Sequence, residues 1–231
     1  YPPTLDAGNL KDKFDVLVFV GASFPDTSRA GGRGGGGRQT DLSRIPAQYR
    51  DRVGNITAQS VEQLKQFLNE GGTILALGGS TSLGYQLDLP ISNALVAVEE
   101  GRERPLRSSE YYIPGSVLQV KVDNTIPLAF GLGEKVDVYF NRSPAFKIDP
   151  KANPDQIKKV AWFDSESPLR SGWAWQQQHL KDAVAVIDAR IGKGKLYLFG
   201  PEITFRAQPH GTFKFLFNGI YLSRAETVNL K

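Results

Sequence analysis

Residues 14–80 leave the chain little choice of architecture. Phe14 to Val20 (FDVLVFV) is a nearly continuous apolar run that stops at Gly21. That is the pattern of a strand buried on both faces of a parallel sheet. Farther on, Val61, Leu64, Phe67 and Leu68 fall on one helical face, Ser60 and Gln63 have the spacing of a capping box, and Gly71–Gly72 supplies a stop. Thr73 to Leu77 (TILAL) follows as a second buried strand and runs into Gly78-Gly79-Ser80. Two strands joined through a helix require a crossover, so this segment predicts an α/β sheet.

From Val117 the pattern changes to short strands at Val117–Val122, Val136–Phe140 and Val160–Phe163, separated by turn residues. Ala183–Ala189 and Lys195–Phe199 flank a glycine-containing hairpin turn, Arg190 to Gly194. A closing helix, about Gly211 to Leu222, is apolar enough to require packing against the sheet. The fold class predicted is therefore α/β, three-layer and doubly wound, with a mostly parallel sheet carrying antiparallel additions. A single domain spanning residues 1–231 is expected. Its interruptions are a charged loop at Glu99–Ser109 and a mobile glycine-rich loop over 29–40 (GGRGGGGR at its centre).

Several function classes drop out on composition. With no Cys there is no disulfide, thiol nucleophile or Cys-ligated metal. No apolar run approaches the roughly 18 residues that cross a bilayer, so no membrane partner is expected. The net charge of +4 is spread along the chain, so no nucleic acid is expected either. Gly32, Gly34 and Gly37 satisfy a Gly-x-Gly-x-x-Gly string. They lie well past the strand and open no helix, which fails the context a dinucleotide site requires. The chain begins at Tyr1 and lacks Met, suggesting an excised segment or processed product.

The residues able to do chemistry are few. A nucleophile on a tight strand-to-helix turn gains from nearby amides that stabilise an oxyanion. Ser80 and Ser82 occupy such a turn, although Ser82 stands where a second glycine of Gly-x-Ser-x-Gly would be, and a serine after a strand also serves as a helix cap. Only His179 and His210 could act as a base. Glu202 and His210 complete the alternative catalytic set of Ser80, Ser82, Glu202 and His210, and Arg206 could pair with Glu202 or meet a carboxylate. Trp173 and Trp175 alternate in Ser171-Gly172-Trp173-Ala174-Trp175. They are suited either to core packing or to stacking on a sugar or clasping a peptide.

The stretch LFGPEITFRAQPHGTFKFLFN (Leu198–Asn218) resembles the C-terminal triad segment of class I glutamine amidotransferases, a flavodoxin-like α/β architecture. Pro201 and Glu202 are kept, and Gly200 stands where that family has its catalytic His. With Cys absent as well, the resemblance implies a fold retained without the chemistry, so no catalytic residue is expected. Over nearly the whole chain, FDVLVFVGASF, VEQLKQFLNEGGTILALGGSTSLGYQLDLPISNALV and the segments from SGWAWQQQHL to the closing helix resemble the C-terminal domain of bacterial secreted zinc carboxypeptidases. This likeness implies an upstream metallopeptidase domain, absent here, that holds the zinc and performs proteolysis. This chain then has neither metal nor cofactor. It would serve as a secreted or periplasmic accessory domain whose partner is that peptidase domain, with a peptide or glycan as a further ligand.

Overall fold

The computed structural model describes residues 1–25 and 41–225. The predicted glycine-rich loop at 29–40 falls outside the described residues. The helices are α1 (Pro2–Asp6), α2 (Ala58–Asn69), α3 (Leu83–Gln86) and α4 (Phe213–Tyr221). The strands of the first half are β1 (Val16–Val20), β2 (Thr73–Leu77), β3 (Ile91–Asn93), β4 (Val96–Glu99), β5 (Arg102–Pro105) and β6 (Ser116–Val122). Those of the second are β7 (Lys135–Phe140), β8 (Phe146–Ile148), β9 (Ile157–Trp162), β10 (Leu169–Ser171), β11 (Val184–Ile191) and β12 (Gly194–Phe199).

The fold is α/β. One sheet runs in the order β1-β2-β12-β11-β9-β6-β10, with β7 also paired to β6 and β8 bridging β11 and β3. β1, β2 and β12 form its parallel portion. The antiparallel additions, from β11 outward, outnumber them. Alternation along the parallel strands divides the core between two faces. Ile74, Ala76, Leu196 and Leu198 pack with the α2 residues Val61, Leu64, Phe67 and Leu68. Leu75, Leu77, Tyr197 and Phe199 pack with Phe215 of α4. The sheet thus lies between two helical layers. Each of the four apolar α2 side chains is at most 3% exposed, a burial that stabilises by about 1.5–3 kcal/mol apiece.

Several local expectations change. The capping box is Thr57–Ser60, not Ser60–Gln63: the helix starts at Ala58, which makes Thr57 the cap. The Thr57 hydroxyl accepts from the Ser60 N–H (3.1 Å) and the Ser60 hydroxyl accepts from the Thr57 N–H (3.0 Å). β1 is not buried on both faces. It is the edge strand: Leu17 and Phe19 pack on the α2 side, whereas on the opposite face Val16 packs against the core and Val18 and Val20 are 44% and 73% exposed. Glu99–Ser109 is not simply a loop, because β5 lies within it and pairs with the preceding β4 as a hairpin. Glu100 and Gly101, both at positive φ (52° and 76°), make its turn. Arg104 fastens the hairpin, donating to Glu99 at 2.5 Å and to both Glu110 oxygens at 2.7 Å. The closing helix is shorter than predicted, a 3₁₀ turn at His210–Thr212 preceding α4.

Asp188 is a polar group held in the sheet, opposite Lys158 on β9 and Tyr197 on β12. Burial pushes its carboxyl up, against the pull of Lys195, Lys158 and Arg190. A carboxyl raised on folding favours the folded state below its unfolded pKa, and this contribution is lost as pH rises through the folded value. Asp188→Asn is therefore expected to raise stability at neutral pH, with the gain shrinking as pH falls through the raised carboxyl value. Urea midpoints of both chains between pH 4 and pH 8 check this.

Candidate functional site

The turn after β2 is a 3₁₀ segment, Gly78–Ser82, that starts with Gly78 at φ +56°. Ser80 within it is fully buried, and its hydroxyl accepts a 2.7 Å hydrogen bond from the Ala22 N–H. It therefore ties the end of β1 to the end of β2. Thr81 donates to the Gly78 carbonyl at 2.7 Å and closes the turn on itself. Ser82 is half-buried. The α3 helix that follows has only four residues, too few to aim a substantial dipole at an oxyanion.

The adjacent parallel strand, β12, ends at Gly200-Pro201-Glu202. A Cβ at Gly200 would lie 2.1 Å from the Pro144 carbonyl oxygen and 3.3 Å from that of Ala185. The position that holds a triad histidine in the amidotransferase-like pattern is therefore closed to any side chain. Glu202 is fixed through its backbone, its N–H donating to the Tyr139 carbonyl at 3.1 Å. Phe205 stacks on Tyr139 with ring centroids 3.9 Å apart. Arg206, at φ +47°, lays its guanidinium 5.0 Å from the Phe205 centroid instead of pairing with Glu202.

His210 is exposed and packs on Phe213 with centroids 5.2 Å apart. It lines a cavity of about 370 Å³ with Val136, Tyr139, Phe205 and Pro209, and neither the serines nor Glu202 reach that cavity. Among the described residues no hydrogen bond joins Ser80, Ser82, Glu202 and His210 to one another. His179 meets Tyr111 edge-on, with centroids 6.3 Å apart. Among the described residues no group of three or more His, Asp or Glu could hold a metal, and no helix is long and apolar enough to cross a membrane.

The two tryptophans do come together. Trp173 and Trp175 are 53% and 46% exposed, while Ala174 between them packs against the core. Alternation then sends both indoles outward on one side. Tyr112, which sequence reasoning did not single out, pairs with Trp175 in an antiparallel bridge. Its ring meets that of Trp173 edge-on with centroids 6.0 Å apart. The only hint in the sequence is the Tyr111-Tyr112 doublet, of which Tyr111 is buried.

This aromatic face is rigidly mounted. The buried Ser116 hydroxyl accepts from the Trp173 N–H (2.9 Å) and donates to the Trp173 carbonyl (2.6 Å). Gly172, at φ +98°, allows that approach, since a Cβ there would sit 2.6 Å from the same hydroxyl. The Trp175 indole N–H donates to the Ser109 carbonyl at 3.2 Å, fixing the plane of its ring.

No protein-family model matches the chain, and no curated protein matches it in sequence. Among solved structures it is similar to a GMP synthase component from Thermoplasma acidophilum, with 11% identity over 71% of this chain and 64% of that one and a TM-score of 0.42. It is also similar to the cytoplasmic protein STM3548 of Salmonella typhimurium, with 13% identity over 96% of this chain and 75% of that one (TM-score 0.48). A ThuA-like protein of Bacteroides uniformis is similar at 9% identity over 95% of this chain and 74% of that one (TM-score 0.45). The chain spans slightly less than two thirds of the first of these structures.

Proposed function

We propose that this chain is a non-catalytic accessory module that binds a glycan on the face formed by Tyr112, Trp173 and Trp175, beside a zinc carboxypeptidase domain of the same secreted polypeptide. The observation that carries the reading is the pair of half-exposed indoles flanking an inward-facing Ala174. Flat, pre-oriented ring faces stack on the apolar faces of sugar rings, and fixing them beforehand lowers the entropy lost on binding. Gln176 and Gln178, hydrogen-bonded to each other, follow on the same segment and supply polar groups for sugar hydroxyls. The peptidase neighbour rests on the sequence resemblance, and zinc and proteolysis belong to that neighbour. Two features speak for a non-catalytic role: the Ser80 hydroxyl is committed to the backbone of Ala22, and Gly200 has no room for a side chain.

Affinity electrophoresis of the chain through gels containing soluble polysaccharides, followed by calorimetry with peptidoglycan fragments, tests the proposal. Trp173→Ala and Trp175→Ala are each expected to weaken retention by about thirtyfold, the equivalent of about 2 kcal/mol of lost stacking and apolar burial. Retention by none of these glycans, or retention that neither substitution changes, would overturn it. Binding of extended peptides through the same two residues would move the assignment to a peptide ligand.

A further inference from the structure

Directly opposed residues of an antiparallel pair share one face of the sheet. On β11, Asp188 is opposed by Lys158 of β9 and Tyr197 of β12. Two residues farther on, Arg190 is opposed by Lys195, and its N–H bonds the Gln156 carbonyl at 2.7 Å. The period of two sets both rows on the same face. It is the face that carries α4, because Tyr197 and Phe215 belong to one core cluster. Where α4 ends, these rows wall a cavity of about 340 Å³. The cavity lies at the start of β12, at the opposite end of that strand from Gly200.

The cavity is chemically unbalanced. Lys158, Arg190 and Lys195 line it with Asp188 and Asp155. Among the described residues, none of those cations has an ion-pair partner within 4.0 Å. Lys195 donates instead to the Leu222 carbonyl at the C-terminal end of α4, at 3.3 Å. Against these two carboxylates the three cations leave the lining with an excess of positive charge. In the same wall the Tyr197 hydroxyl is fully buried without a hydrogen-bond partner. Burial raises its pKa, so it remains a donor. An orphaned buried hydroxyl is destabilising unless an acceptor reaches it, and the wall around it carries the opposed Asp188 together with three cations that have no ion-pair partner among the described residues.

We infer that this cavity binds the phosphate group of a small molecule, with Arg190 and Lys158 supplying charge and the Tyr197 hydroxyl a directed hydrogen bond. A guanidinium presents two parallel donors to such a group. The volume lies at the low end of small-ligand pockets and leaves room for an organic portion beside the phosphate. The inference is independent of the glycan reading, which concerns a different face.

Calorimetry and thermal unfolding of the whole chain with inorganic phosphate, at constant ionic strength, test it. Saturable binding is expected, weakened about tenfold by Arg190→Gln and by Lys158→Gln. Both residues are exposed, so both variants should fold. Tyr197→Phe should move two readouts in opposite directions, raising the melting temperature of the free chain by a few degrees while weakening phosphate binding about tenfold. A purely structural tyrosine would not produce that split. Phosphate raises the stability of many proteins by exclusion from their surface. An unsaturable rise, equal in wild type and all variants, would therefore overturn the inference, as would binding of succinate in place of phosphate.

Discussion

Gly200→His, the substitution that would complete the amidotransferase-like triad segment, is expected to destabilise the chain by at least about 3 kcal/mol and to restore no hydrolysis. Gly200 is not there for conformational freedom, since it is absent from the glycines at positive φ. It is there for space. Its backbone N–H donates to the Ala185 carbonyl at 2.9 Å, and the Pro144 carbonyl occupies the region where a Cβ would project, 2.1 Å away. Overpacking a core usually costs about 1–3 kcal/mol. Here the obstruction is backbone on two sides, so the cost should reach the top of that range or pass it, and Gly200→Ala should suffer most of it. Urea unfolding of both variants, with ester and amide turnover measured alongside, provides the check. A Gly200→Ala midpoint equal to wild type would mean that the Pro144 segment moves aside readily.

The second large effect is expected at Phe215. Removing its ring by Phe215→Ala should cost about 3–5 kcal/mol, the range for a fully buried aromatic whose cavity cannot collapse. Phe215 has no exposed surface and packs against Phe199 with centroids 6.0 Å apart. A nine-residue helix has little stability of its own, and the only other buried residue of α4 is Gly219. A Cβ on Gly219 would come within 2.9 Å of the Leu75 side chain, so the helix lies close on the sheet and offers no slack to refill the hole. Chemical denaturation should show a lower midpoint with an unchanged slope. Phe217→Ala, at a side chain 49% exposed, should change stability far less. Equal losses at the two positions would contradict this account of how the helix is held.

Strong local periodicity explains what could be read directly from the sequence. The α2 stripe of Val61, Leu64, Phe67 and Leu68 and the TILAL strand each encode their burial in consecutive residues, and both lie where the pattern puts them. FDVLVFV reads as equally apolar, yet it became an edge strand with Val20 in solvent. Apolarity reports suitability for a sheet and not how many neighbours the strand acquires. The β4–β5 hairpin was hidden because its strands are only four residues long and β5 is mostly charged, the pair being held by Arg104 and its two carboxylates instead of by apolar alternation.

Of the site residues, the tryptophans could be identified by type, but their exposure depended on Ala174 turning inward, a tertiary choice. Tyr112 entered the face through a bridge to a residue far along the chain. The Lys158–Asp188–Tyr197 row exists only once three strands are in register.

The position of β12 has a consequence for how the molecule assembles. It lies between β2 and β11, so the last of the described strands to leave the ribosome becomes a central one, joining an N-terminal parallel pair to a C-terminal antiparallel set. Until it inserts, β2 and β11 each present an unpaired edge, the kind of surface that recruits foreign strands. Joining segments so distant in sequence is entropically slow. Nascent chains that stop short of residue 194 should therefore be sticky and dependent on chaperones, and completion of the sheet should coincide with release of the C-terminal hairpin.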